Sequence, residues 1–568
     1  MPKMVFKGVQ PDGDIALGSL DLLDPQRKFE IIDITAKSAE SMGEAEKETW
    51  LSLPHSSFDT IIMNPPFTRS TGHEGKKIGV PRPMFAAFRS TKEEQRLMSQ
   101  ATARLTAGTS AHGNAGEASI FLVLADRKLK PGGTLALVMP VSLMSGDAWE
   151  ASRALLAKHY SELILITIAG AASAEMSFSA DTDMGECLVI GRKVANTTGR
   201  AVFVVLNARP AFPMVGVYAA REIRQLIATK NLKRLEDGPV GGVPICFGND
   251  LIGHMLDAPL PASANWNLAR IADLTLAQTA YQLANKGRIW LPTMSQSEVK
   301  AVPVVAVSGI SKIGPYHADV YGKTANGGIR GPFKCRPVQP NTVPTYPVLW
   351  AHSAKRERVM SFDADCDGLP VKGSNTKEQD FIDKKVTEVW GTASHCHFNR
   401  DFRFNSQSTG MQFTPAKTIG GRAWLSIQLA TAEQEKALVV WGNTSLGLLL
   451  YWWHANKSQA GRGSIGKEAL QSLPVLDVSS LTPKQLAAAA AVFDAMCEKE
   501  LLPLNEIDRD PARRELDEKF AKDVLGLSQQ FYAAGGPLER LRMKLAQEPS
   551  VRGGKAYKAD VAQMDKAA

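Results

Sequence analysis

The apolar run Phe58 to Met63 (FDTIIM) ends in Asn64, Pro65, Pro66 and Phe67, and this abrupt stop constrains the chain more than any other feature. A run of that length reads as a buried strand, and two prolines in succession remove two backbone N–H donors, so the ladder must end there. Further on, Ile120, Phe121, Leu124 and Leu129 share one face of a helix expected from Glu117 to Lys130. Pro131, Gly132 and Gly133 stop it, and Thr134 to Met139 (TLALVM) forms the next strand, closed by Pro140. Strands alternating with amphipathic helices imply a mostly parallel α/β sheet. Such sheets place their sites at the carboxyl ends of strands, which is where Asn64 to Phe67 fall.

Between the first strand and that helix runs a long polar excursion. Thr91 and Glu94 form a capping box within it, and its flanks, residues 68–83 and 107–116, read as mobile loops beside the strand end. From about residue 250 the texture changes to short strand-like runs punctuated by Gly, Pro and Asn and carrying Trp290, Tyr316, Trp350 and Trp390, as an irregular β-rich domain would. After Pro474 the chain turns helical, with helices expected over Thr482 to Cys497 and Pro511 to Leu525. The 568 residues therefore divide into 1–210, a connecting segment 211–250, 251–475, and a helical tail 476–568.

Charge is distributed unevenly. Residues 1–189 hold 19 Lys+Arg against 23 Asp+Glu, residues 190–475 hold 33 against 20, and residues 476–568 hold 14 against 15. A basic middle between near-neutral ends suits a polyanion such as duplex DNA, whose condensed counterions Lys and Arg displace. A solvated basic surface is the plainer alternative. Lys355, Arg356 and Arg358 (KRER), with Arg462 and Lys467, are the candidate DNA-binding residues. The six cysteines form no CxxC pair, which suits a reducing compartment. His395, Cys396 and His397 are followed by no second ligand pair, so no metal site is expected. No apolar run is long enough to span a bilayer, and a cytoplasmic location with no membrane partner is expected.

The residue types at 64 to 67 suit one kind of chemistry. The exocyclic amine of adenine is a poor nucleophile because its lone pair is delocalised into the ring. Acceptors on both of its N–H groups would draw the nitrogen toward tetrahedral geometry and free that lone pair. The Asn64 side-chain oxygen can supply one acceptor and the Pro65 carbonyl the other, while Pro66 fixes the backbone without adding a competing donor. Phe67 offers a flat apolar face for a base turned out of the duplex. A strand-ending turn is the structural alternative.

FDTIIMNPPF resembles the catalytic motif of amino-methyltransferases, and the chain beyond it is similar to the adenine-N6 DNA methyltransferases of bacterial restriction and phage-defence systems. Residues 118–153 (ASIFLVLADRKLKPGGTLALVMPVSLMSGDAWEASR) resemble that family's helix, Pro-Gly-Gly turn, strand and Trp-containing helix. Residues 178–193 (FSADTDMGECLVIGRK) resemble a later motif whose aromatic packs on the flipped adenine. By that resemblance Phe178 is either the second stacking face or a core phenylalanine ahead of the strand Cys187 to Ile190. Residues 462–477 and 513–527 (RRELDEKFAKDVLGL) look like the ends of such enzymes, after their target-recognition domain.

The resemblance implies a Rossmann-like methyltransferase sheet, S-adenosylmethionine as methyl donor, and transfer to adenine N6 in duplex DNA after base flipping. The chain departs from the family in one respect. Nothing like the Phe-x-Gly-x-Gly donor turn occurs in the 63 residues before Asn64. Asp14 to Pro25 (DIALGSLDLLDP) resembles the later segment bordering the donor's adenine, which leaves Asp21 as the one cofactor-binding candidate. A chain beginning downstream of the donor motif is expected. The motif would then be restored upstream or by a separate polypeptide, with restriction or defence subunits as further partners, and the alternative is a non-catalytic DNA-binding subunit or remnant. Gly461 to Lys467 (GRGSIGK) has phosphate-loop spacing, but Glu468 stands where Ser or Thr would hold magnesium, so a DNA-facing loop is expected instead.

Overall fold

The computed structural model describes residues 5–9, 15–19, 55–67, 106–170, 176–179, 185–262, 264–324, 327–457 and 459–555. The chain divides into two compact units, one of residues 1–166, 186–202 and 259–266 and the other of residues 167–185, 203–258 and 267–568.

In the first unit, β1 (Val5–Val9) and β2 (Ile15–Ser19) pair antiparallel as a separate two-stranded sheet. The main elements after these are β3 (Phe58–Met63), α1 (Glu117–Lys128), β4 (Leu129–Pro140), α2 (Glu150–His159), β5 (Tyr160–Ile168) and β6 (Glu186–Lys193). The strand order here is β3-β4-β6-β5. β3 and β4 run parallel and β4 and β6 run antiparallel, so this sheet is mixed. Leu135, Leu137 and Met139 of β4 and Cys187 and Val189 of β6 are buried at alternate positions, as the two-residue period of a strand dictates. β3 differs from the fully buried strand expected of it. Ile61 and Met63 are buried, whereas Ile62 is 77% exposed, so only one face of β3 is covered.

The Pro-Gly-Gly segment also has a different role from a helix stop. α1 ends at Lys128, and Leu129 already lies opposite Phe58. The ladder resumes at Thr60 and Thr134, leaving residues 130–133 bulged out against Asp59. Gly132 takes φ +81°, a left-handed conformation, and a Cβ on Gly133 would lie 2.9 Å from the Asp59 carbonyl oxygen. Lys130 Nζ bridges to Asp59 Oδ1 at 2.9 Å across the bulge.

The second unit contains a seven-stranded sheet, whose order is Lys312–Ile313, Trp424–Gln428, Ser394–Asn399, Met411–Gly420, Pro347–Leu349, Cys366–Pro370 and Phe333–Pro337. The β-rich texture expected after residue 250 corresponds to this sheet. Helices are interspersed that the texture does not announce, among them Thr376–Trp390, Ala432–Asn443 and Ser445–His454. Every residue of Ser445–His454 (SLGLLLYWWH) is buried. A helix apolar all round has no polar stripe from which its period could be read.

The tail is helical as expected, with Pro483–Met496 capped by Thr482, and Pro511–Lys519 continued by a π turn over Phe520–Val524. Its charged residues reach into the core. Arg513, fully buried, donates to the carbonyls of Asn443 at 2.5 Å and Ser408 at 2.6 Å, and Arg542 meets Asp517 at 2.7 Å with both side chains 2% exposed.

Candidate active site and nucleic-acid interface

Asn64 is the first residue beyond β3, one step past the Met63–Leu137 pair. Asn64 and Pro66 are exposed, Pro65 is buried and Phe67 is half-buried. The motif is thus anchored through Pro65, with Asn64 exposed at the carboxyl end of a parallel strand pair. The turn after β4 is held by a residue the sequence does not single out. Arg153, 2% exposed, donates to the carbonyls of Leu143 at 3.1 Å and Gly146 at 2.8 Å, and on its other edge to Ala264 O at 3.1 Å and Asn265 Oδ1 at 3.0 Å. Burial lowers its pKa to about 10, against the opposing influence of Glu150 and Asp147, so the guanidinium stays charged at neutral pH. An arginine in an amphipathic helix reads from sequence as a solvated one, which is why it goes unnoticed.

The flank 107–116 is a hydrogen-bonded turn and not a loose loop. Ser152 Oγ donates to Ser110 O at 3.2 Å, Ser119 Oγ donates to Gly116 O at 2.8 Å, and Ala115 is buried. The other flank, 68–83, and the capping box of Thr91 and Glu94 lie outside the described residues.

Asp21, the cofactor-binding candidate, also lies outside the described residues. Gly8 and Gly18 sit within the β1–β2 ladder, opposite Ala16 and Phe6. Among the described residues of the first unit no glycine turn follows a strand ahead of Asn64. The described residues of the first unit thus supply no such turn for S-adenosylmethionine.

Phe178 belongs to the second unit, whereas Asn64 belongs to the first. Phe178 is half-buried, between buried Ser177 and half-buried Ser179. The segment is tied down through its neighbour Met176. Arg270, fully buried with φ +61°, hydrogen-bonds toward Met176 Sδ and the Lys457 carbonyl, and its backbone N–H donates to Thr167 Oγ1 at 3.1 Å.

The five basic candidates all lie in the second unit. Lys355 is exposed. Arg356 is engaged, 3.4 Å from Asp365 and with its guanidinium 5.2 Å from the Phe362 ring centre, and Arg358 faces Glu500 at 3.4 Å. Glu357 between them is buried and accepts from Ser353 N at 2.6 Å and Gln407 Nε2 at 2.7 Å, so the KRER turn is held from inside. Arg462 lies 3.0 Å from Asp401, and Lys467 opens the short helix Lys467–Gln471.

GRGSIGK is hydrogen-bonded to its neighbours through the two-residue strand Gly463–Ser464 and the amides beside it. Gly463 and Ser464 pair with Phe402 and Asp401, and the amides of Gly461, Ser464 and Ile465 donate to Ser550, Asn456 and Arg400. Those N–H groups are not available to cradle a phosphate. In the His-Cys-His run, His395 Nδ1 lies 2.7 Å from Thr414 O, and burial pushes the Cys396 thiol well up and the His397 imidazole down to about 3. Among the described residues no three His, Cys, Asp or Glu side chains are placed to hold a metal, and no helix is long and apolar enough to cross a membrane.

No family model and no curated protein matches the chain. Among solved structures, it is similar to the type IIG restriction endonuclease BpuSI, at 12% identity over 88% of this chain and 55% of that one, with a TM-score of 0.31. It is also similar to the type IIL restriction-modification enzyme MmeI, solved in complex with DNA, at 10% identity over 87% of this chain and 57% of that one, with a TM-score of 0.35. The chain spans a little over half the length of each of these two proteins. Likeness at this level bears on neither the chemistry nor the substrate of this chain.

Proposed function

We propose that the chain carries the amine-binding loop and the DNA-binding unit of an adenine-N6 DNA methyltransferase, with S-adenosylmethionine as methyl donor and duplex DNA as substrate. One observation carries this reading: Asn64-Pro65-Pro66-Phe67 leaves the carboxyl end of a parallel strand pair with Asn64 exposed and Pro65 buried. An acceptor there can meet one N–H of an extrahelical adenine, the Pro65 carbonyl can meet the other, and Phe67 can stack on the ring, which is worth ~1 to 3 kcal/mol per base in single-strand binders. The donor is held by residues other than those described, on this polypeptide or on a partner of a restriction or defence system. The protein acts in the cytoplasm, where its DNA is. The excess of Lys and Arg over residues 190–475 also supports a second reading, a DNA-binding subunit without transferase activity.

The full chain, alone and with the product of any adjacent gene, is incubated with duplex DNA and methyl-labelled donor, and the DNA is digested to nucleosides. Label in N6-methyl-2′-deoxyadenosine supports the transferase. Retained DNA binding with no label under either condition supports the second reading, and label only in cytosine rules out the amine assigned here.

A further inference from the structure

Tyr316 and His317 stand where three separate loops meet at one end of the seven-stranded sheet of the second unit. Gly314 N donates to Ser426 O, and Arg400 N donates to Ala423 O, which brings the segments around 316, 400 and 422 to the same strand ends. The Arg400 guanidinium lies 5.7 Å from the centre of the Tyr316 ring and that of Arg330 lies 5.9 Å from it, while the His317 ring packs at 4.0 Å. Arg400 Nη1 is 3.5 Å from His317 Nδ1, and Arg400 Nε is buried without a hydrogen-bond partner. Arg422 is exposed at the turn beside them.

The His317 imidazole is held below its usual pKa by burial, then by Arg400, Arg422 and Arg330 in that order, with Asp319 opposing. The arginines therefore act on one small volume. Asp319 meets Arg330 at 2.7 Å, and Asp401 is shared between Arg400 at 4.0 Å and Arg462 at 3.0 Å. Four guanidinium groups thus face two carboxylates. Assembling like charges in this way costs stability, and a π face compensates for each by only ~0.5 to 1 kcal/mol at exposed sites. A polyanion supplies the missing counter-charge, and guanidinium forks match phosphate oxygens in pairs.

We propose that Arg330, Arg400 and Arg422, gathered around Tyr316 and His317, form the contact through which the second unit grips the phosphate backbone of duplex DNA. This rests on the DNA-binding part of the function proposed above and gives that binding a place. The Tyr316 ring lies against Arg330, Arg400 and His317 and so positions the arginines.

The test compares the full chain with R330Q/R400Q/R422Q, and with R221Q/R224Q/K230Q, which removes the same charge from exposed positions on and after the helix Pro213–Ala228. The single variant R422Q, at an exposed position, guards against misfolding, and thermal melting checks every variant. Affinity for duplex DNA and duplex RNA is measured across a salt series. The expected result is that the Tyr316-side triple variant loses about tenfold or more in DNA affinity and that its log K against log salt slope falls by about 2 to 3, with R422Q falling by about 1 and the control unchanged. Wild-type DNA binding with an unchanged slope in the first triple variant, or an equal loss in the control, overturns the proposal. Loss confined to RNA overturns it as well. No DNA binding by the wild-type chain at low salt overturns the DNA reading itself, and this contact with it.

Discussion

Met63 lies directly opposite Leu137 in the parallel β3–β4 ladder, and both side chains are buried. Asn64 therefore leaves the sheet from a pair fixed by packing. Leu137→Ala should cost ~2 to 5 kcal/mol, the range for a buried leucine truncated in a packed core. Urea unfolding should show a lower midpoint with an unchanged slope. A change under 1 kcal/mol, a value taken as roughly the noise of such a measurement, would mean the strand pair is not the anchor.

Arg153 joins the turn after β4 to residues 264 and 265. Arg153→Ala leaves several carbonyls without a donor, at ~1 to 3 kcal/mol for each one that stays buried and dry. Hydrogen exchange should accelerate over residues 140–149 before it changes in β6. Uniform acceleration across the first unit would indicate global destabilisation instead.

The Arg542–Asp517 pair is buried, and Asp517 Oδ1 also accepts from Ser445 N at 2.7 Å. Removing one partner strands the other charge, so Arg542→Ala should cost ~3 to 5 kcal/mol. The double variant Arg542→Met, Asp517→Asn, which keeps an acceptor for Ser445 N, should recover part of that loss. Thermal melts of the two variants decide the matter, and equal losses would contradict the pairing.

Two buried histidines set an acid limit. Burial lowers the pKa of His397 to about 3 and of His454 to about 4. Below the ordinary value of 6.5 the unfolded imidazoles take up protons and the folded ones do not. The stabilisation is therefore complete above that value and is lost as the pH falls, by about 1.4 kcal/mol per pH unit for each imidazole. His454 Nε2 contacts the Ala469 carbonyl, at 2.8 Å, and the Ser472 hydroxyl, at 3.4 Å, so His454→Gln keeps a neutral donor there. Its stability should fall less steeply between about pH 6 and 4.5 than that of the wild type. Parallel curves would assign the acid sensitivity elsewhere.

The sequence made some of this legible and hid the rest for physical reasons. β3 has the bounds its apolar run and Pro-Pro stop imply, and Pro511 to Leu525 is helical over its expected length. These are local signals. The Pro-Gly-Gly bulge was hidden because the same residues stop a helix or interrupt a strand, and only the Phe58–Leu129 pairing distinguishes the two. Ser445–His454 was hidden by being buried on every side. The Tyr316 cluster draws on loops up to about 100 residues apart, so no window of sequence contains it. Among the sequence-picked basic residues, Arg356, Arg358 and Arg462 each face a carboxylate, which a run of charge cannot reveal.

The most direct measurement of the central claim is single-turnover methyl transfer by Asn64→Ala, with DNA affinity measured on the same samples. Loss of one preorganised acceptor typically lowers the rate by ~10² to 10³. A fall of that order is predicted with DNA affinity unchanged, because the proposed phosphate contacts lie in the other unit. Near-normal transfer by Asn64→Ala would show that Asn64 to Phe67 only end a strand.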